Sequence, residues 1–178
     1  MRKRAIAVVL AIAALLAVWT SQASACQGAN RAPGRQSVDE ARRAVTCLIN
    51  KRRKHHGMRR LHSSSALAVA AQQHSDAMAS QNFFSHEGDG TPTSRAEGAG
   101  YMAGARAWGL GENLEWASGK AGSPRGIVRG WMRSAAHRSV MFSRRFRHVG
   151  VGITEGSPVS PDVQGSATYT ADFGFRKG

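Results

Sequence analysis

The chain has 178 residues and a formal net charge of +14, from 25 Lys and Arg against 11 Asp and Glu. That length suits one domain with its own core. Two cysteines cannot by themselves supply the four ligands of a structural zinc cluster, and the charge implies attraction to polyanions or, more plainly, solubility outside the cell.

Residues 1–25 read as a secretory signal peptide. Arg2, Lys3 and Arg4 are the positive start, Ala5 to Trp19 is an unbroken apolar run, and Ala23-Ser24-Ala25 offers a cleavage site. The apolar run falls short of the roughly 18–20 residues of a spanning helix. Its removal takes three basic residues and no acid, leaving a charge of +11. Cys26 then becomes the first residue. It can pair with Cys47, as secretion favours, or carry a lipid. Ala23 speaks against the lipid, because a large aliphatic residue is usual three positions before a lipidated cysteine.

Residues 26–36 form a polar lead-in, and residues 37–178 form the domain. Ser37 with Glu40 is a capping box, so a helix runs from there to about His55 and stops at Gly57. Val38, Ala41, Val45, Leu48 and Arg52 share a stripe, with Cys47 beside it. Arg42, Arg43, Lys51, Arg53 and Lys54 make the outer face basic. After a cap within Ser63–Ser65, Leu67, Ala70, Ala71, His74 and Met78 recur at helical spacing up to Gln81. His74 on that apolar face reads as a hydrogen-bonded core histidine.

Residues 87–92 are a turn whose acids lack the further ligands of a calcium loop. Residues 94–100 suit a short helix capped by Thr93 or Ser94. Residues 107–116 suit a strand, with Glu112, Leu114 and Trp116 on one side and Glu115 on the other. Ser123-Pro124 opens a third main helix that buries Ile127, Val128 and Trp131. Residues 148–154 and 168–175 alternate as strands do, and the Gly/Pro/Ser-rich segment between them makes them a hairpin.

The most site-like groups are two imidazoles and a carboxylate from three separate segments: His86 in Phe83-Phe84-Ser85-His86, Glu112 in Gly111-Glu112-Asn113-Leu114, and His137 in Ala136-His137-Arg138. No His-Glu-x-x-His, phosphate-cradling loop or Gly-x-Ser-x-Gly accompanies them. Ser85 adjoins His86 and Ser134 lies three before His137, but such nucleophile–base neighbours arise often by chance.

The order of Asn82 to His86, Arg95, Gly100-Tyr101, Gly111 to Leu114, Trp131 to Ser134, His137-Arg138, Val149 to Gly152 and Tyr169 to Gly174 resembles the CAP superfamily. This superfamily comprises cysteine-rich secretory proteins, antigen 5 and plant pathogenesis-related proteins, with bacterial single-domain relatives. The resemblance spans about residues 37–175. It implies an α+β fold, a three-layer α-β-α sandwich around an antiparallel sheet. It also implies a cavity of two histidines and two acids that binds a divalent metal in some members. His86, Glu112 and His137 match three of these. Ser134 stands where the second acid is expected, which should weaken any hold on zinc, and Ala135-Ala136 replaces the Pro-Gly usual in bacterial relatives.

Three functions are open at this point. One is a non-catalytic, extracellular or envelope-associated binding module for an anionic cell-wall polymer, a lipid or a secreted protein, without specific nucleic-acid recognition. Another is a metal-assisted hydrolase or peptidase using His86, Glu112 and His137 with an open metal position. In the third, the same residues only knit the core together.

Overall fold

A computed structural model describes residues 26–178; the expected signal peptide lies outside the described residues. In chain order the elements are α1 (Val38–His55), β1 (His62–Ser63), α2 (Ser65–Gln81), α3 (Pro92–Gly98), β2 (Ala107–Ser118), α4 (Pro124–Arg133), α5 (Ala135–Met141), β3 (His148–Glu155) and β4 (Ser166–Lys177). The sheet order is β1-β3-β4-β2. β4 pairs antiparallel with both β2 and β3, while the two-residue β1 runs parallel to β3.

The two faces of the sheet differ in chemistry, and the site follows from that. Val149, Val151 and Ile153 of β3 and Tyr169, Ala171 and Phe173 of β4 point into one apolar core with Val45, Leu48 and Ile49 of α1 and Ile127, Val128 and Trp131 of α4. The alternate residues of the same strands are Gly150, Gly152, Thr168, Thr170 and Asp172. They face α2, where Ser75 Oγ donates to Thr170 Oγ1 at 2.9 Å. A Cβ on Gly150 or Gly152 would lie 2.1 Å from the backbone of α2 at Leu67 or Ala71. Glycine at these two positions lets α2 lie directly on the sheet. With α1, α4 and α5 on one face and α2 and α3 on the other, the architecture is the α-β-α sandwich expected.

Several local expectations are corrected. α3 is capped by Thr91 in a capping box with Ser94, not by Thr93 or Ser94, because Pro92 takes the first helical position. β1 was not expected; two residues carry no periodicity of their own. Nor was α5, which begins where Ser134 Oγ accepts the His137 N–H at 3.3 Å. The chain breaks at Ser134, which is extended and both ends α4 and caps α5, and Ala135-Ala136 form the first turn of the new helix. In α1, Arg53 and not Arg52 joins the buried stripe: it is 1% exposed, four residues on from Ile49. Its guanidinium donates to the carbonyls of Arg59, Met141 and Ser143 at 2.9, 2.6 and 3.1 Å.

The lead-in is folded too. Cys26 and Ala29 are buried in the main core, and Ala29 O accepts the Arg125 N–H at 2.8 Å. Cys26 is bonded to Cys47 with their Cα atoms 5.7 Å apart, so the sulfur that a lipid would occupy is taken. Replacing both cysteines by alanine is expected to lower stability by about 3 kcal/mol, the chain-entropy value for a loop of this length. Urea denaturation of the pair variant beside the native protein measures it; a difference below about 1 kcal/mol would mean that the packed lead-in holds its place without the bond.

Candidate functional site

Glu112 is the centre of a buried polar network on the α2 face of the sheet. β2 and β4 are in register so that Glu112 stands directly opposite Asp172. Glu112 is 7% exposed and uses both oxygens: Oε1 accepts from His86 Nδ1 at 2.6 Å and Oε2 from Arg95 Nη2 at 2.7 Å. A carboxylate only accepts, so His86 carries its proton on Nδ1 here.

Arg95 ties the network to the loop before α3. Its Nη1 donates to Asp89 Oδ1 at 2.8 Å and to Gly90 O at 2.7 Å, and its Nη2 also donates to His86 O at 3.2 Å. Asp89 Oδ1 further accepts from His74 Nδ1 at 2.6 Å. His74 is fully buried, so the core-histidine reading is what the structure has; its Nε2 lies 3.9 Å from Glu112 Oε1. Burial first, and the adjacent Glu112 carboxylate second, push the Asp172 carboxyl well above the usual aspartate range. Asp172 therefore holds a proton more readily than an exposed aspartate does, and Glu112 is the carboxylate that Arg95 contacts.

His137 approaches from the other side. It lies on α5, in the layer with α1 and α4, and its carbonyl accepts from Asn113 Nδ2 at 3.1 Å. Asn113 is one residue from Glu112 and so points to the opposite face of β2. Burial, and then the nearby His86, lower the pKa of His137 and keep it neutral near pH 7. Glu115 also points away from Glu112; its carboxylate packs at Gly130 of α4.

His86, Glu112 and His137 are thus only partly assembled. His86 and Glu112 touch; His137 borders them across the edge of β2. Among the described residues no three His, Cys, Asp or Glu side chains are arranged to hold a metal ion. Each oxygen of Glu112 already accepts one hydrogen bond, from His86 and from Arg95, and His86, Glu112 and His137 as placed do not form a ready three-ligand centre. An exposed imidazole oriented by a buried carboxylate is half of a general-base device. The neighbouring hydroxyls are engaged as caps: Ser85 Oγ accepts the Glu87 N–H at 3.1 Å, and Ser134 Oγ caps α5.

Sequence reasoning missed Asp89 and Asp172 as members of this network. Asp89 reads as a turn residue, and its partners lie 15 residues before it and 6 after it. Asp172 could have been flagged as an acid at an inward position of a strand that is otherwise buried.

The fold and the motif order agree with comparisons to known proteins. Residues 47–163 match the CAP, cysteine-rich secretory protein, family. An uncharacterized protein of Bacillus subtilis, YkwD, is 29% identical over 127 residues, which are 69% of this chain and 46% of that protein. An extracellular protein containing a SCP domain from Bacillus anthracis superposes with a TM-score of 0.61 at 25% identity, over 81% of this chain and 45% of that one. An outer surface protein of Borrelia burgdorferi shares the fold, with a TM-score of 0.61 at 16% identity over 75% of this chain and 90% of its own. The chain thus spans about half the length of the two Bacillus proteins. With the family matched across two thirds of its length, this chain belongs to the cysteine-rich secretory protein (CAP) family.

Proposed function

We propose that the chain is a secreted, non-catalytic binding module that engages anionic polymer of the cell envelope through its basic surface. The observation that carries this reading is how few of its cations are neutralised. Of the 22 Lys and Arg in residues 26–178, only Arg31, Arg42 and Arg95 stand within 4.0 Å of a carboxylate. The acids are spent elsewhere: Glu112 and Asp172 are buried, and Asp89 serves His74 and Arg95. The leader-like residues 1–25, and a related protein described as extracellular, support a place outside the cell. The reading rests on the basic surface and needs no metal at Glu112.

Binding of the mature protein to immobilised envelope fractions is expected at low ionic strength and to be lost before 1 M salt, where the screening length is about 3 Å. A chelator should change nothing. Retention that persists in 1 M salt, or that vanishes with chelator, would overturn the reading.

A further inference from the structure

The basic residues are not spread evenly along the chain. No acid occurs between Glu40 and Asp76, or between Glu115 and Glu155, and these two stretches hold 16 of the 22 basic residues of the described chain. The fold brings one end of each together. The C-terminal turn of α1, continued by Gly57, Met58 and Arg59, faces the α5–β3 connection at Arg144 and Arg147. Between them lies a cleft of about 320 Å³ lined by Arg53, Gly57, Met58, Arg59, Arg144 and Arg147. Four guanidiniums line it and no acid does.

Arg53 is the floor of this cleft and the reason it is a built site. A buried charge is ordinarily paired, yet no carboxylate among the described residues lies within 4.0 Å of Arg53. Its Nε and Nη1 are held by three backbone carbonyls, which fixes the group and joins α1, the turn after it and the end of α5. Its Nη2 has no hydrogen bond among the described residues. Arg147 Nη1 is fixed in the same way by the carbonyls of Arg144, Arg145 and Phe146. The side chains of Arg59 and Arg144 make no hydrogen bond and no ion pair among the described residues. Two anchored and two free guanidiniums thus converge without a counter-charge. Burial, with Arg147 second, makes the Arg53 cation less favourable than an exposed arginine, and an anion in the cleft would supply the missing counter-charge to both arginines.

Resting on the reading above, we infer that this arginine-lined cleft between the end of α1 and the α5–β3 connection is a binding site for phosphodiester groups of an extracellular anionic polymer. Guanidinium forks match phosphate oxygens in pairs, and several forks can share one tetrahedral anion. The lining has no aromatic side chain on which a base could stack, so the site addresses the phosphates of a chain and not nucleobases. The exposed large apolar side chains, Val69, Phe84, Trp108 and Val159, are not in the lining. A bilayer anchor would need such groups beside the charge, which favours a soluble polymer over a lipid surface.

The test uses the mature chain and fluorescently labelled polyphosphate, read by anisotropy. Arg59→Glu with Arg144→Glu reverses the two free guanidiniums and leaves the anchored pair intact. Arg129→Glu with Arg133→Glu makes the same change in net charge on α4. The cleft pair is expected to weaken binding at least about tenfold and to flatten its salt dependence, because it removes phosphate contacts. The α4 pair should change affinity less than about threefold. Unchanged circular dichroism and melting would show that both variants fold. Unlabelled polyphosphate should compete far better than polyglutamate of equal charge.

Equal weakening by the two pairs would overturn the cleft while leaving a diffuse basic surface in place. Failure of the wild-type chain to bind any polyanion would overturn both readings. Cleft-dependent binding to phosphatidylglycerol vesicles without binding to polyphosphate would make the ligand a lipid headgroup and overturn the polymer.

Discussion

Replacing Arg95 by methionine is expected to destabilise the domain by about 3–5 kcal/mol, the range for removing one partner of a buried ion pair. The side chain is 4% exposed and holds Asp89, Gly90, His86 and Glu112 through four hydrogen bonds. Methionine fills similar space but leaves the Glu112 carboxylate in the interior with only His86 to answer it. The carboxylate must then take up a proton or draw in water, and the loop of residues 86–90 loses its attachment to α3. Urea denaturation at neutral pH gives the size of the loss, and limited proteolysis should cut the loop faster in the variant. A loss under about 1 kcal/mol would show that the network adds little beyond an exposed pair.

Asp172→Asn is expected to stabilise the domain, by an amount that grows with pH. An unfolded aspartate titrates near 3.9. In the fold, burial beside Glu112 moves the same carboxyl upward. Between those two values the native chain holds a proton that the unfolded chain has lost. Stability of the wild type therefore falls as pH rises through this window, by about 1.4 kcal/mol per unit for this group. Asparagine keeps the neutral shape and removes the slope. Melting curves of the two proteins from about pH 4 to pH 8 should start close together and separate with rising pH. Parallel curves would mean that Asp172 titrates in the fold as an ordinary aspartate does.

Much of this fold could be read locally because its signals are local. Ser37 with Glu40, Ser64 and Ser123-Pro124 satisfy amide groups within one helical turn, so the starts of α1, α2 and α4 are written beside the residues they cap. The α2 stripe from Leu67 to Met78 and the alternation of residues 148–154 declare their buried faces by period alone. The cysteine pairing followed from there being two cysteines in a chain whose first residues read as a secretory leader.

What only the tertiary structure decided depends on pairs far apart in the chain. Whether Glu112 faces Asp172 is a matter of register between strands whose midpoints lie some sixty residues apart, and a slip by one residue would turn each side chain to the other face. The same logic puts His137 beside Asn113 and not within a closed set with Glu112: the helix that bears it lies in the other layer. Arg53 looks like an outer-face cation until three carbonyls, one from the turn after α1 and two from the end of α5 some ninety residues on, surround it. Sequence by itself thus determined most of the elements and their apolar faces, β1 and α5 excepted, because burial and capping act over one or two turns. The polar network at Glu112 and the arginine cleft were decided by how the layers meet, because a charge is compensated or left open by whatever the fold places next to it.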